Sequence, residues 1–108
     1  MASGFGDMGS LLKQAQEMQK RIADTERELE SREVEGSAGG GAVVVRFNGN
    51  QRLVSVKIDP EAVDPEDVEG LEDMLTVAIK QAVDASQELR KREMERVTGG
   101  LGLPGMGF

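Results

Sequence analysis

Residues 39–60, GGGAVVVRFNGNQRLVSVKIDP, leave the chain less conformational freedom than any other stretch. Val43, Val45 and Phe47 alternate with Val44 and Arg46, and Val54, Val56 and Ile58 alternate with Ser55 and Lys57. A period of two belongs to a strand with one buried face. Asn48-Gly49-Asn50 separates the two runs, and Asn-Gly favours a tight reversal because both residues tolerate positive φ. The stretch therefore reads as a β-hairpin. Two strands alone bury too little apolar surface to be stable in water, so another element must cover this one.

Helical patterns on either side supply the cover. Met8, Leu11, Ala15, Met18, Ile22, Thr25 and Leu29 recur at spacings of three and four, a narrow heptad seam. Asp7 or Ser10 is suited to cap that helix, which spans over about 30 Å and outreaches a hairpin. Its outer end is expected to stand free or to meet another chain. Leu71, Met74, Leu75, Ala78, Ile79, Ala82, Val83 and Ser86 form a broader apolar face on a second helix beginning around Gly70–Leu71, the element expected to cover the hairpin. Asp59-Pro60 and Asp64-Pro65 each place a capping carboxylate before a Pro suited to the first helical position.

Between helix and hairpin, residues 32–36 read as a short third strand, and 36–41 as a mobile glycine-rich turn. This turn lacks the Lys-Ser/Thr ending of a phosphate-cradling loop, and a strand follows where a helix should. Residues 1–7 read as a flexible N-terminus, 8–98 as one domain, and 99–108 as a disordered glycine-rich tail.

Composition narrows the chemistry. The 108 residues contain no His, Cys, Tyr or Trp, and three Phe. Without His the commonest general base and metal ligand at neutral pH is missing, and without Cys so are thiolate nucleophiles and disulfides. We read no catalytic residue, no metal site, no cofactor, no small-molecule substrate and no enzyme. No apolar run is long enough for a transmembrane helix and no secretion signal is visible, so the expectation is a cytoplasmic protein without a membrane partner.

The net charge is −7, yet residues 60–75 carry seven acidic groups and no basic one, which equals the whole imbalance. Elsewhere the basic groups are ordered. With Met8 at heptad position a, Lys13, Lys20 and Arg27 all fall at f, opposite the apolar seam, and Arg21 falls at the adjoining g. Arg90, Lys91, Arg92 and Arg96 form a second basic cluster near the end of the other helix. Such stripes suit a phosphate backbone, which point charges grip without reading sequence. They equally suit a solvated face laced with pairs such as Glu17–Arg21 and Glu28–Arg32.

The helix LLKQAQEMQKRI, the stretch VEGSAGGGAVVVRFNGNQRLVSVKIDP and the segment DPEDVEGLEDMLTVAIKQAVDASQELRKREMERVTGG, in this order, resemble the YbaB/EbfC family of nucleoid-associated proteins. The likeness runs from about Leu11 to Gly100. It implies an α+β fold, α-β-β-β-α, with a three-stranded antiparallel sheet flanked by two long helices. It also implies a homodimer joined through the hairpin region, at Val43, Val45, Phe47, Val54, Val56 and Ile58. The implied partner is double-stranded DNA, bound with little sequence preference and altered in conformation, with consequences for nucleoid organisation and gene regulation. Carried to this chain, the contacts would be Lys13, Lys20, Arg21, Arg27, Arg90, Lys91, Arg92 and Arg96. Glu17, Asp24, Glu26 and Glu88 interrupt both stripes, which predicts strongly salt-dependent binding. The alternative is an adaptor for replication or recombination proteins that makes no DNA contact.

Overall fold

The computed structural model describes residues 3–99. Helix α1 (Ser3–Ser31) leads into strands β1 (Glu33–Ala38), β2 (Val43–Asn48) and β3 (Leu53–Ile58), and helix α2 (Val68–Thr98) follows. The strands form an antiparallel meander, with β2 central. This is the α-β-β-β-α order expected.

The register explains which face is covered. Val34, Gly36 and Ala38 of β1 lie opposite Phe47, Val45 and Val43, and the last two lie opposite Val56 and Ile58 of β3. Cross-strand partners share a face, so one side of the sheet is apolar throughout. On the other, Arg46 pairs with Glu35 at 3.1 Å and Glu33 at 3.9 Å. The apolar side receives α2, where Val43, Val45, Ala78 and Ala82 are completely buried and Phe47, Ile58, Leu71, Met74 and Leu75 pack around them.

The contact is close because Gly36 makes it so. A β-carbon there would sit 2.1 Å from the Ala78 carbonyl oxygen and 2.6 Å from the Ala82 nitrogen. With small residues on both sides, strand and helix backbones nearly touch. The helix lies over β1 and β2 and leaves the β3 flank open, where Leu53, Val54 and Val56 are 58%, 47% and 41% exposed.

Four local features differ from the sequence reading. β1 runs to Ala38, two residues beyond the expected strand, and the turn after it is confined to Gly39–Gly41, all at positive φ. The hairpin loop is longer than an Asn-Gly reversal: residues 49–52 connect the strands, a bulge follows Arg46, and positive φ falls on Gln51. Gly49 serves packing instead. Its N–H donates to the carbonyls of Leu29 and Arg32, both at 2.9 Å, and a β-carbon would lie 2.7 Å from Leu29 Cδ2. The hairpin tip thereby satisfies carbonyls that the end of α1 leaves without intrahelical partners.

Both helix starts also move. α1 begins at Ser3, ahead of Asp7 and Ser10, since nothing in the small residues before the seam forbids helix. α2 begins at Val68 with Asp67 as its cap, accepting from the Gly70 N–H at 3.1 Å. Asp64, three residues too early, closes a turn by accepting from the Glu66 N–H at 2.9 Å. Asp59 does cap a short 3-10 turn, Pro60–Ala62, with Pro at its start. The tail assigned to 99–108 lies outside the described residues from 100 onward.

Candidate nucleic-acid interface

α1 and α2 meet through their C-terminal halves, running antiparallel. Leu29, Thr25, Ser86 and Leu89 are buried there, and Arg21, Asp24, Thr25 and Glu28 share a groove with Glu93, Arg96 and Val97. α2 therefore ends alongside Arg21, and the preceding turns of α1 extend past it. The buried half of the seam is Thr25 and Leu29, while Met8, Leu11 and Leu12 are exposed.

A polar knot holds this junction to the hairpin tip. The Ser86 hydroxyl, fully buried, donates to the Asn48 carbonyl and accepts from the Gln51 backbone and side-chain amides at 3.1 and 3.0 Å. Asn48 Oδ1 accepts from the N–H groups of Asn50 and Arg52, at 2.8 and 3.1 Å. Asn50 Nδ2 donates to the Glu30 carboxylate at 2.6 Å and the Glu26 carbonyl at 3.0 Å. Buried polar groups are costly unless paired, and among the described residues no buried side-chain nitrogen or oxygen is left unpaired.

The eight basic candidates divide into two sets. Arg90 is tied into the knot: Nη1 donates to Asn50 Oδ1 at 2.8 Å and Nη2 to Glu26 at 2.9 Å. Arg27 pairs with Asp24 at 3.1 Å and Arg96 with Glu93 at 3.4 Å. Lys13, Lys20, Arg21, Lys91 and Arg92 are exposed and form no ion pair among the described residues. The intrahelical pairs Glu17–Arg21 and Glu28–Arg32 do not form, and Arg32 instead crosses to Glu93 at 3.1 Å.

The basic candidates are not gathered at one point. Lys13, Lys20 and Arg27 recur every seventh residue, about 10 Å apart along α1. Lys91 and Arg92 are consecutive, hence about 100° apart around α2, so they address different directions. Arg21 and Arg96 are brought together in the inter-helix groove, along with Asp24, Glu28 and Glu93. The sequence reading missed the knot. Its one visible signal was Ser86, a hydroxyl on the otherwise apolar face of α2.

Two long helices braced on a small sheet thus carry exposed cations, and no clustered metal ligands occur among the described residues. The YbaB/EbfC DNA-binding family model matches residues 4–101, and the chain belongs to that family. It is 52% identical over 102 residues to a nucleoid-associated protein of Moorella thermoacetica, covering 94% of this chain and 98% of that one. A nucleoid-associated protein of Clostridium kluyveri is 48% identical over 103 residues, covering 95% and 90%. The fold matches the crystal structure of an uncharacterized Helicobacter pylori protein with a TM-score of 0.67 and 32% identity, covering 82% of this chain and 89% of that one. No helix among the described residues is long and apolar enough to cross a membrane.

Proposed function

We propose that the protein is a nucleoid-associated protein that binds duplex DNA as a homodimer, with little sequence preference, and alters its conformation. Its place is the cytoplasm, at the nucleoid, and its effects are on nucleoid organisation and gene regulation. The observation that carries this reading is that five of the candidate cations, Lys13, Lys20, Arg21, Lys91 and Arg92, are exposed and unpaired on the two long helices of a chain in a DNA-binding family. Isolated cations separated by helical turns suit phosphates, which position a protein without specifying sequence.

Arg27, Arg90 and Arg96 play a secondary part in this proposal. Each already holds a carboxylate, so a phosphate contact requires exchange of one anion for another. The dimer is assigned to the open β3 flank. Val54 and Val56 lie at the joint, Phe47 and Ile58 are half-buried behind them, and Val43 and Val45 support it from the core. An apolar flank of this kind, on an edge strand, favours a second chain over water.

A salt titration of duplex binding tests the proposal. Affinity is expected to fall steeply with salt and to vary little between unrelated duplexes. Replacing all five free cations by Ala is expected to abolish binding while the fold and dimer persist. Absence of binding by the unaltered protein at about 50 mM salt, or an unchanged affinity in the fivefold variant, overturns the DNA reading.

A further inference from the structure

The apolar seam of α1 does not stop where α2 stops. Thr25 and Leu29 are buried and Met18 and Ile22 half-buried, but Met8, Leu11 and Leu12 are 67%, 63% and 62% exposed and line one apolar hollow with Gly9. Across that boundary the three-and-four spacing continues unchanged through Ala15. A helical end of this length without a packed face is marginal in water, so a covering element is needed to hold it.

The chemistry of the seam indicates what covers it. Further along, the same stripe already receives a helix, α2, so its continuation fits a helix. The e and g positions flanking Met8–Met18 are Asp7, Leu12, Gln14, Gln19 and Arg21. The two charged ones are of opposite sign and lie at the two ends of the stretch, so an antiparallel second copy brings Asp7 near Arg21 and no like charges together. Lys13 and Lys20, at f, stay outward. Direction follows from the occupied part. A second helix running parallel would reach the stretch that α2 fills, whereas an antiparallel one passes only the two free ends across each other. Met8 then lies opposite Met18 of the second copy, and Leu11 opposite Ala15, so each a position meets a d position.

We propose that the free ends of α1 from two copies pair antiparallel through Met8, Leu11, Ala15 and Met18. This contact is separate from the β3 flank and does not depend on DNA binding. Where both contacts form, dimers are joined end to end, with Lys13 and Lys20 facing outward along the junction.

The chain has no Cys, so introduced thiols report the contact directly. Chains carrying Met8→Cys and Met18→Cys are mixed and mildly oxidised. The mixture is expected to give a disulfide-linked dimer and either variant alone is not, because like positions would lie about 15 Å apart, beyond the roughly 7 Å Cα limit of a disulfide. Adding Leu11→Asp to both chains should reduce the product at least about tenfold, since two buried leucines are lost per pair. Replacing Val54 and Val56 by Asp, which removes the β3 contact, should leave the product unchanged, so that failure of the dimer assigned to β3 is told apart from failure of this one. No product from the mixture, product from a single variant, or product that survives Leu11→Asp overturns the pairing.

Discussion

A methyl group is enough to disturb this fold at Gly36. The β-carbon of Gly36→Ala would overlap the Ala78 carbonyl, which is backbone and has no rotamer to move into. Strand and helix must separate, and urea unfolding is expected to register a loss of about 2 kcal/mol or more, at the upper end of ordinary overpacking. Ser86→Ala acts by the opposite route. It leaves the Asn48 carbonyl without its hydroxyl donor and the Gln51 amides without their acceptor, in a position with no exposure. A loss of about 1–3 kcal/mol is expected in the same measurement, and Ser86→Thr, which keeps the hydroxyl, should recover part of it.

The elements that were legible in the sequence are those with a strong period. The broad face of α2, the alternation of β2 and the Thr25–Leu29 end of the α1 heptad announced themselves because burial imposes them residue by residue, while the rest of that heptad was legible although it is half-buried or exposed. The boundaries were less legible. Asp64 and Asp67 are both Asp near a Pro, and local sequence does not distinguish Asp67, which caps α2, from Asp64, which closes the turn before it. The division of the basic residues was hidden for a related reason. Glu26 and Arg90 are 64 positions apart, and nothing local reveals that they meet. That pair sits at a partly exposed position and is expected to contribute less than about 1 kcal/mol to stability. Its larger effect is on binding: Glu26→Gln frees Arg90 and removes a negative charge beside it. A tighter duplex affinity is expected, measured in parallel with Lys20→Ala, which should weaken affinity and lower the salt slope by about one.

For the whole molecule, Val45 and Val56 have different jobs although they face each other across two strands. Val45 is at zero exposure beneath α2, whereas Val56 is 41% exposed on the open flank. A charge at Val45 places an unpaired carboxylate in the core, which costs several kcal/mol and rivals the roughly 5–15 kcal/mol that holds a small domain together. Val45→Asp is expected to lose the fold by circular dichroism. Val56→Asp is expected to keep the fold and, if the proposed joint lies on the open flank, to lose the dimer in sedimentation. The tip of the hairpin has a mechanical consequence as well. Gly49 plugs the end of α1 and α2 holds the helix as far as Arg21, so the part beyond behaves as a lever about 20 Å long to Met8. A tilt of about 5° where α2 ends displaces Met8 by roughly 2 Å and Lys13 by roughly 1 Å, an appreciable fraction of the spacing between phosphates. The reach of the basic row is therefore governed from the held end of the helix, well away from the cations themselves.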